Sequence, residues 1–192
     1  DISKIFNIFI IFALLMVAGG ILFSKELVVL FTTKAYYSSE SLIALLVMAI
    51  LFSNMYIFAP GIGIAKKTKL ISLISINSAV INIILNYTLI PVFGLSGAAY
   101  STLIAAIITF FLYIFISQKY YPIPYHTKPI LLSLLITLIS SYGVLKIFDD
   151  IEFVSIVIKI IVLFFVFVSI GFLLLDKKYL QKIMLKLMMR RK

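Results

Sequence analysis

Six uninterrupted apolar runs, each about as long as a bilayer crossing, constrain this chain more than any other feature. They are Ile5 to Phe23, Leu42 to about Ala59, Leu70 to Ile90, Gly97 to Ile116, Pro129 to Phe148 and Phe153 to Leu175. The hydrocarbon core of a membrane is about 30 Å thick and a helix rises about 1.5 Å per residue, so about 20 apolar residues span it. Lipid offers no partner to backbone N–H and C=O groups, so a spanning segment must be a helix or part of a closed barrel. Barrel strands alternate apolar and polar residues over short segments, and these runs do not. With 64% hydrophobic and 12% charged residues among 192, no core could hide the apolar surface and leave a wettable exterior. The expectation is an all-α polytopic membrane bundle of about six helices over residues 1–175, followed by a basic tail over 176–192.

The net charge of +10 would suggest nucleic acid in a soluble protein, where a contiguous basic face is needed. Here the positive residues fall in the gaps between apolar runs, so no nucleic-acid partner is expected and the bilayer is. The gaps also orient the chain. With the N-terminus inside, the cytoplasmic segments hold Lys4, Lys66, Lys67, Lys69, Lys119 and Lys128, together with Lys177, Lys178, Lys182, Lys186, Arg190, Arg191 and Lys192 in the tail. The opposite side holds only Lys25, Lys34 and Lys146. This asymmetry predicts both ends of the chain in the cytoplasm. In the long loop from Ser24 to Ser41, Glu26 to Phe31 reads as a short interfacial helix, and Tyr36 and Tyr37 suit the headgroup level. The tail reads as an amphipathic helix, with Leu180, Ile183, Met184, Leu187 and Met188 on one side and Lys178, Lys182 and Lys186 on another, suited to an anionic leaflet. The chain begins at Asp1 with no signal peptide before Ile5, which suggests a piece of a longer protein.

Polar residues inside the runs are the candidates for function. In the third run Ser72, Ser75, Ser78, Asn82 and Asn86 share one helix face, with Asn77 on the other. Such a stripe either lines a transport path or hydrogen-bonds a neighbouring helix. The fourth run carries Ala98, Thr102, Ala105 and Thr109 on one side, small enough for close helix packing. Lys159 is the one charge well inside a run. It lies six residues, or about 9 Å, from the end of its helix, so it either snorkels to the interface or meets an anionic substrate group. Enzyme chemistry is not expected. Cysteines are absent, the lone histidine is His126 in a loop, and neither a zinc motif nor a phosphate-cradling loop occurs. No metal or cofactor is expected, and no acidic residue lies at membrane depth in the six runs.

One segment carries a resemblance. After Pro60-Gly61-Ile62-Gly63-Ile64-Ala65-Lys66-Lys67-Thr68-Lys69, the third run ends Asn82-Ile83-Ile84-Leu85-Asn86-Tyr87-Thr88-Leu89-Ile90-Pro91-Val92-Phe93-Gly94-Leu95-Ser96-Gly97-Ala98-Ala99. This pattern resembles the C-terminal part of polysaccharide (O-antigen type) flippases, in the superfamily that includes multidrug extruders and lipid II flippases. Locally, Pro91 is expected to stop the third helix, Gly94 and Gly97 to allow a tight turn, and Ala98 and Ala99 to begin a closely packed fourth helix. The resemblance implies that the six runs are the last six helices of a fourteen-helix transporter in the plasma membrane of a bacterium or archaeon, forming a partial C-terminal lobe. It further implies alternating access and a lipid-linked oligosaccharide as substrate. Lys159 would then face the diphosphate and Asn82 and Asn86 the sugar hydroxyls, with Ser75 and Ser78 on the same path. The alternatives are a multidrug efflux transporter of the same superfamily and a non-transporting accessory membrane subunit.

Overall fold

A computed structural model describes residues 2–125, 127–148 and 150–175. The amphipathic tail over 176–192 and His126 lie outside the described residues. Among the described residues there are helices and connecting turns and no strand. Six helical segments are long and apolar enough to cross a membrane, and the chain is an all-α polytopic bundle.

The first helix, α1, spans Ile2–Leu22 and forms the centre of the fold. Phe6, Ile10, Leu14, Ala18, Ile21 and Leu22 are all buried. Three further spans close around it: α3 (Glu40–Asn54), α7 (Thr127–Ile147) and α8 (Phe153–Leu174). The side of α7 packed on α1 and α8 carries Ser133, Thr137 and Ser141 at intervals of four, all fully buried. Their small side chains let the backbones approach closely, which is how helices associate where lipid is as apolar as leucine. Between α1 and α3 the short helix α2 (Ser24–Phe31) follows α1 across the single residue Phe23 and leads into a 3-10 helix over Lys34–Ser39.

The second span ends differently from the sequence expectation. Regular α3 stops at Asn54, tightens into a 3-10 helix over Met55–Phe58, and Pro60 then caps a further helix, α4 (Gly61–Ile64), instead of ending helical structure. Proline is well suited to a helix start, where its missing N–H would have no partner anyway. At the far end of α4, Lys66 adopts φ +54°. Its N–H reaches the Gly63 carbonyl and the Lys67 N–H the Ile62 carbonyl, which satisfies two of the carbonyls a helix end leaves open.

The third and fourth spans, α5 (Thr68–Phe93) and α6 (Leu95–Tyr120), form a hairpin broken at Gly94 alone. Pro91 does not stop α5, which runs on to Phe93. The missing N–H falls in the last turn and forfeits one ladder bond, and the Gly94 N–H closes the helix on the Ile90 carbonyl at 2.8 Å. The chain reverses at Gly94, whose φ of +57° with ψ of −132° is essentially restricted to glycine. Three residues on, a β-carbon at Gly97 would lie 2.3 Å from the Leu89 carbonyl oxygen, so the two helices touch backbone to backbone. Helix α6 also packs on α3, whereas α5 has little beside α6 and exposes nearly all of its remaining surface.

Long-range bonds show which helix termini share an end of the bundle. Ser3 donates to the Pro124 carbonyl at 3.0 Å and Asn7 to the Leu174 carbonyl at 3.2 Å. The Gly61 N–H donates to Ser117 Oγ at 2.8 Å, and the Tyr125 hydroxyl donates to the Phe58 carbonyl. Phe6, Phe58 and Tyr125 stack edge to face there, with centroids about 5 Å apart. Burial raises the Tyr125 hydroxyl above its usual pKa. Gln118 accepts from the Ile123 N–H at 2.7 Å and donates to the Ile123 carbonyl at 2.9 Å, which shapes the turn into α7. This end carries Lys4, Lys66, Lys67, Lys69, Lys119 and Lys128.

Candidate functional site

At the opposite end, α2 and α8 meet through their charges. Lys159 sits on the bundle side of α8 and is completely buried. Its Nζ donates to Glu26 Oε1 at 2.6 Å, and the glutamate side chain is 16% exposed. The ammonium is thus enclosed and paired with a carboxylate of the same chain. Glu26 lies outside the six apolar runs, on the short helix that follows the first of them. Helix α2 belongs to the loop after α1, yet it folds in far enough to place Glu26 against a lysine about 9 Å along α8.

The reason is electrostatic. An isolated ammonium in a low-dielectric interior is costly by several kcal/mol even after relaxation, so Lys159 can be enclosed only if an anion comes with it. Satisfaction is nonetheless incomplete. Glu26 Oε2 is buried and has no hydrogen-bond partner among the described residues. Ser155, one helical turn before Lys159, is buried on the same face. The other side of α2 borders a cavity of about 470 Å³, lined by Leu27, Val28 and Phe31 together with Leu42, Leu46 and Ala99 among others. A second opening at this end lies between Glu40 at the start of α3 and Tyr142 and Lys146 near the end of α7.

The polar stripe on α5 divides into two groups. Ser78, Asn82 and Asn86 are half-buried towards α6. Asn86 Nδ2 donates to Asn82 Oδ1 at 2.9 Å, and Asn86 Oδ1 accepts from the Ser101 hydroxyl at 2.5 Å. Lower on the hairpin, Thr109 Oγ1 lies 2.7 Å from Ser78 Oγ. These groups form a hydrogen-bonded ladder between the two helices. Ser72 and Ser75, by contrast, are exposed, and the Ser75 hydroxyl bonds back to the Ile71 carbonyl of its own helix at 3.0 Å. Asn77, on the far side, is also exposed and donates to the Leu73 carbonyl. The structure therefore brings Asn82, Asn86 and Ser78 together with α6 and leaves Ser75 apart from them. Lys159 is far removed, in the α2–α8 pair, and the residues Pro91, Gly94, Gly97, Ala98 and Ala99 shape the hairpin turn. Ala98 and Ala99 additionally line the cavity under α2.

Sequence reasoning did not single out Glu26, Ser101 or the buried series Ser133, Thr137 and Ser141. The last has a readable signal, three small polar residues four apart within one apolar run. No family model, curated protein or solved structure matches the chain.

Proposed function

We propose that the chain is the C-terminal part of a membrane flippase that moves lipid-linked oligosaccharide across the plasma membrane for cell-surface polysaccharide synthesis. The observation that carries this reading is Lys159, a cation wholly enclosed within an apolar bundle and held by one replaceable carboxylate. Intramembrane ionisable groups mark substrate or ion paths by default. A diphosphate linking a lipid to a sugar is the kind of anion such a group would serve. The resemblance of the Asn82-to-Ala99 segment to polysaccharide flippases supports the same class. The open face of α5, with Ser72 and Ser75 on it, is the surface where the missing part of the transporter would pack. The Lys and Arg bias puts the Lys66 end in the cytoplasm and the α2–α8 pair near the opposite leaflet. Asn82 and Asn86 then serve first to fix the hairpin, with their remaining lone pairs turned to sugar hydroxyls.

The test is deletion of the encoding gene. Loss of surface glycan, with lipid-linked precursor accumulating in the membrane and restored by the intact gene, is the expected result. Unchanged glycan with increased sensitivity to toxic cations and dyes would favour the multidrug reading. Unchanged glycan and unchanged drug tolerance would remove both transport readings in favour of an accessory subunit.

A further inference from the structure

We propose that Glu26 is a built-in competitor for Lys159: its carboxylate occupies the position of a phosphate-bearing ligand, and α2 leaves α8 when that ligand binds. This rests on the flippase reading for the identity of the ligand, but not for the latch itself.

Three observations converge on it. First, Lys159 has no exposed surface, so an incoming anion reaches the ammonium only by displacing the carboxylate already there. Second, the pair is built unlike a permanent one. A buried ion pair is stabilising only when its remaining lone pairs are satisfied, and Glu26 Oε2 is buried without a partner among the described residues. A phosphate or diphosphate offers more acceptor oxygens to the same ammonium and loses no such orphan, since its outer oxygens stay at the mouth of the site. Third, the element that carries Glu26 is free to shift. Helix α2 has only eight residues, of which Ser24 and Val28 alone are buried, and the chain turns to extended backbone at Thr32. The cavity of about 470 Å³ on the side of Leu27 and Phe31 gives it room. Exchange of one anion for another keeps Lys159 neutralised throughout, so the uncompensated ammonium that would block a simple opening never arises.

The site therefore takes an anion of the phosphate-ester class, whether attached to a lipid or free. The 192 residues contain no cysteine, so a direct test uses the full protein in lipid nanodiscs with any cysteine outside them replaced by serine. Ser155→Cys puts a thiol on the Lys159 face of α8, where Ser155 is 6% exposed, and leaves the ion pair intact. Its labelling by a water-soluble maleimide reports departure of α2. Farnesyl diphosphate is expected to accelerate labelling about tenfold, within the usual range of coupling between a ligand and a conformational change, while farnesol does not. Inorganic pyrophosphate distinguishes the sources: acceleration by it assigns the site to free phosphates as well, and acceleration by the prenyl ester alone assigns it to lipid headgroups. Adding Glu26→Gln should give fast labelling without any anion. Labelling indifferent to both anions would overturn the latch and leave a permanent structural pair, and this arm decides even if the Gln variant fails to fold. Anion-driven opening together with unchanged surface glycan on gene deletion would retain the latch and sink the transport reading.

Discussion

Removing either member of the Lys159–Glu26 pair should cost far more than removing both, and the two single losses should be unequal. Truncation of one partner of a buried pair typically costs about 3–5 kcal/mol, because the survivor is left charged and unpaired, whereas apolar replacement of both is neutral or stabilising. Lys159 is fully enclosed and Glu26 keeps a 16% exposed edge. Glu26→Leu, which strands the ammonium, therefore belongs near the top of that range, at about 5 kcal/mol, and Lys159→Met, which strands the partly wet carboxylate, near the bottom, at about 3 kcal/mol. For a chain of this size 1 kcal/mol moves the melting midpoint by about 2–4 °C, so the weaker variant should already fall by about 6–12 °C. The double variant should return to within a few degrees of the parent. A double-mutant cycle on reversible unfolding in mixed micelles isolates the coupling, which is expected to be several kcal/mol and is meaningful because the two groups are in direct contact. Additive single and double variants, with coupling below about 0.5 kcal/mol, would refute the reasoning and return Lys159 to the interface.

The hairpin and its neighbours yield further expectations. Gly97→Ala drives a β-carbon to 2.3 Å from the Leu89 carbonyl and should destabilise by about 1–3 kcal/mol, whereas Gly63→Ala meets nothing within 4 Å and should be harmless; parallel thermal unfolding compares them. Asn86→Leu removes the bonds to Asn82 and Ser101 and should cost about 0.6–1.7 kcal/mol, while Asn77→Ala, whose amide donates only to its own helix, should cost almost nothing in the same assay. Because burial raises the Tyr125 pKa above its ordinary 10.0, the unfolded chain ionises first: stability is intact below pH 10.0 and falls as pH rises through the folded value. Tyr125→Phe should lower stability at neutral pH by the lost bond to Phe58 and flatten the alkaline decline, and equal alkaline slopes for both proteins would contradict the assignment.

Hydropathy is a local, one-dimensional signal, so the six spans were legible to within a few residues: α8 was read as Phe153 to Leu175 and ends at Leu174. The hairpin was legible in part for the same reason. Asn86 and Ser101 are only 15 residues apart, and a polar stripe followed by small residues and two glycines confines the geometry. The end of the third helix differs from the expectation at Pro91 because a proline there removes a single ladder bond, a loss that α5 absorbs as it runs on to Phe93. The pairing of Glu26 with Lys159 spans 133 residues and no periodicity encodes it. A weaker inference was nonetheless open. Enclosing a lysine demands an anion, and outside the tail the sequence offers few: Asp1 before the first span, Glu26 and Glu40 after it, and Asp149, Asp150 and Glu152 before the last. Of these, only Glu26 lies on an amphipathic segment able to lay a charge against the bundle while its leucine and phenylalanine face lipid or cavity. That segment reads as interfacial because it is too short to span, yet a helix of eight residues can rest on lipid with one face and deliver a carboxylate inward with the other. Under the latch proposed above, the same shortness would let α2 leave with little loss of apolar burial, once an incoming anion keeps Lys159 neutralised.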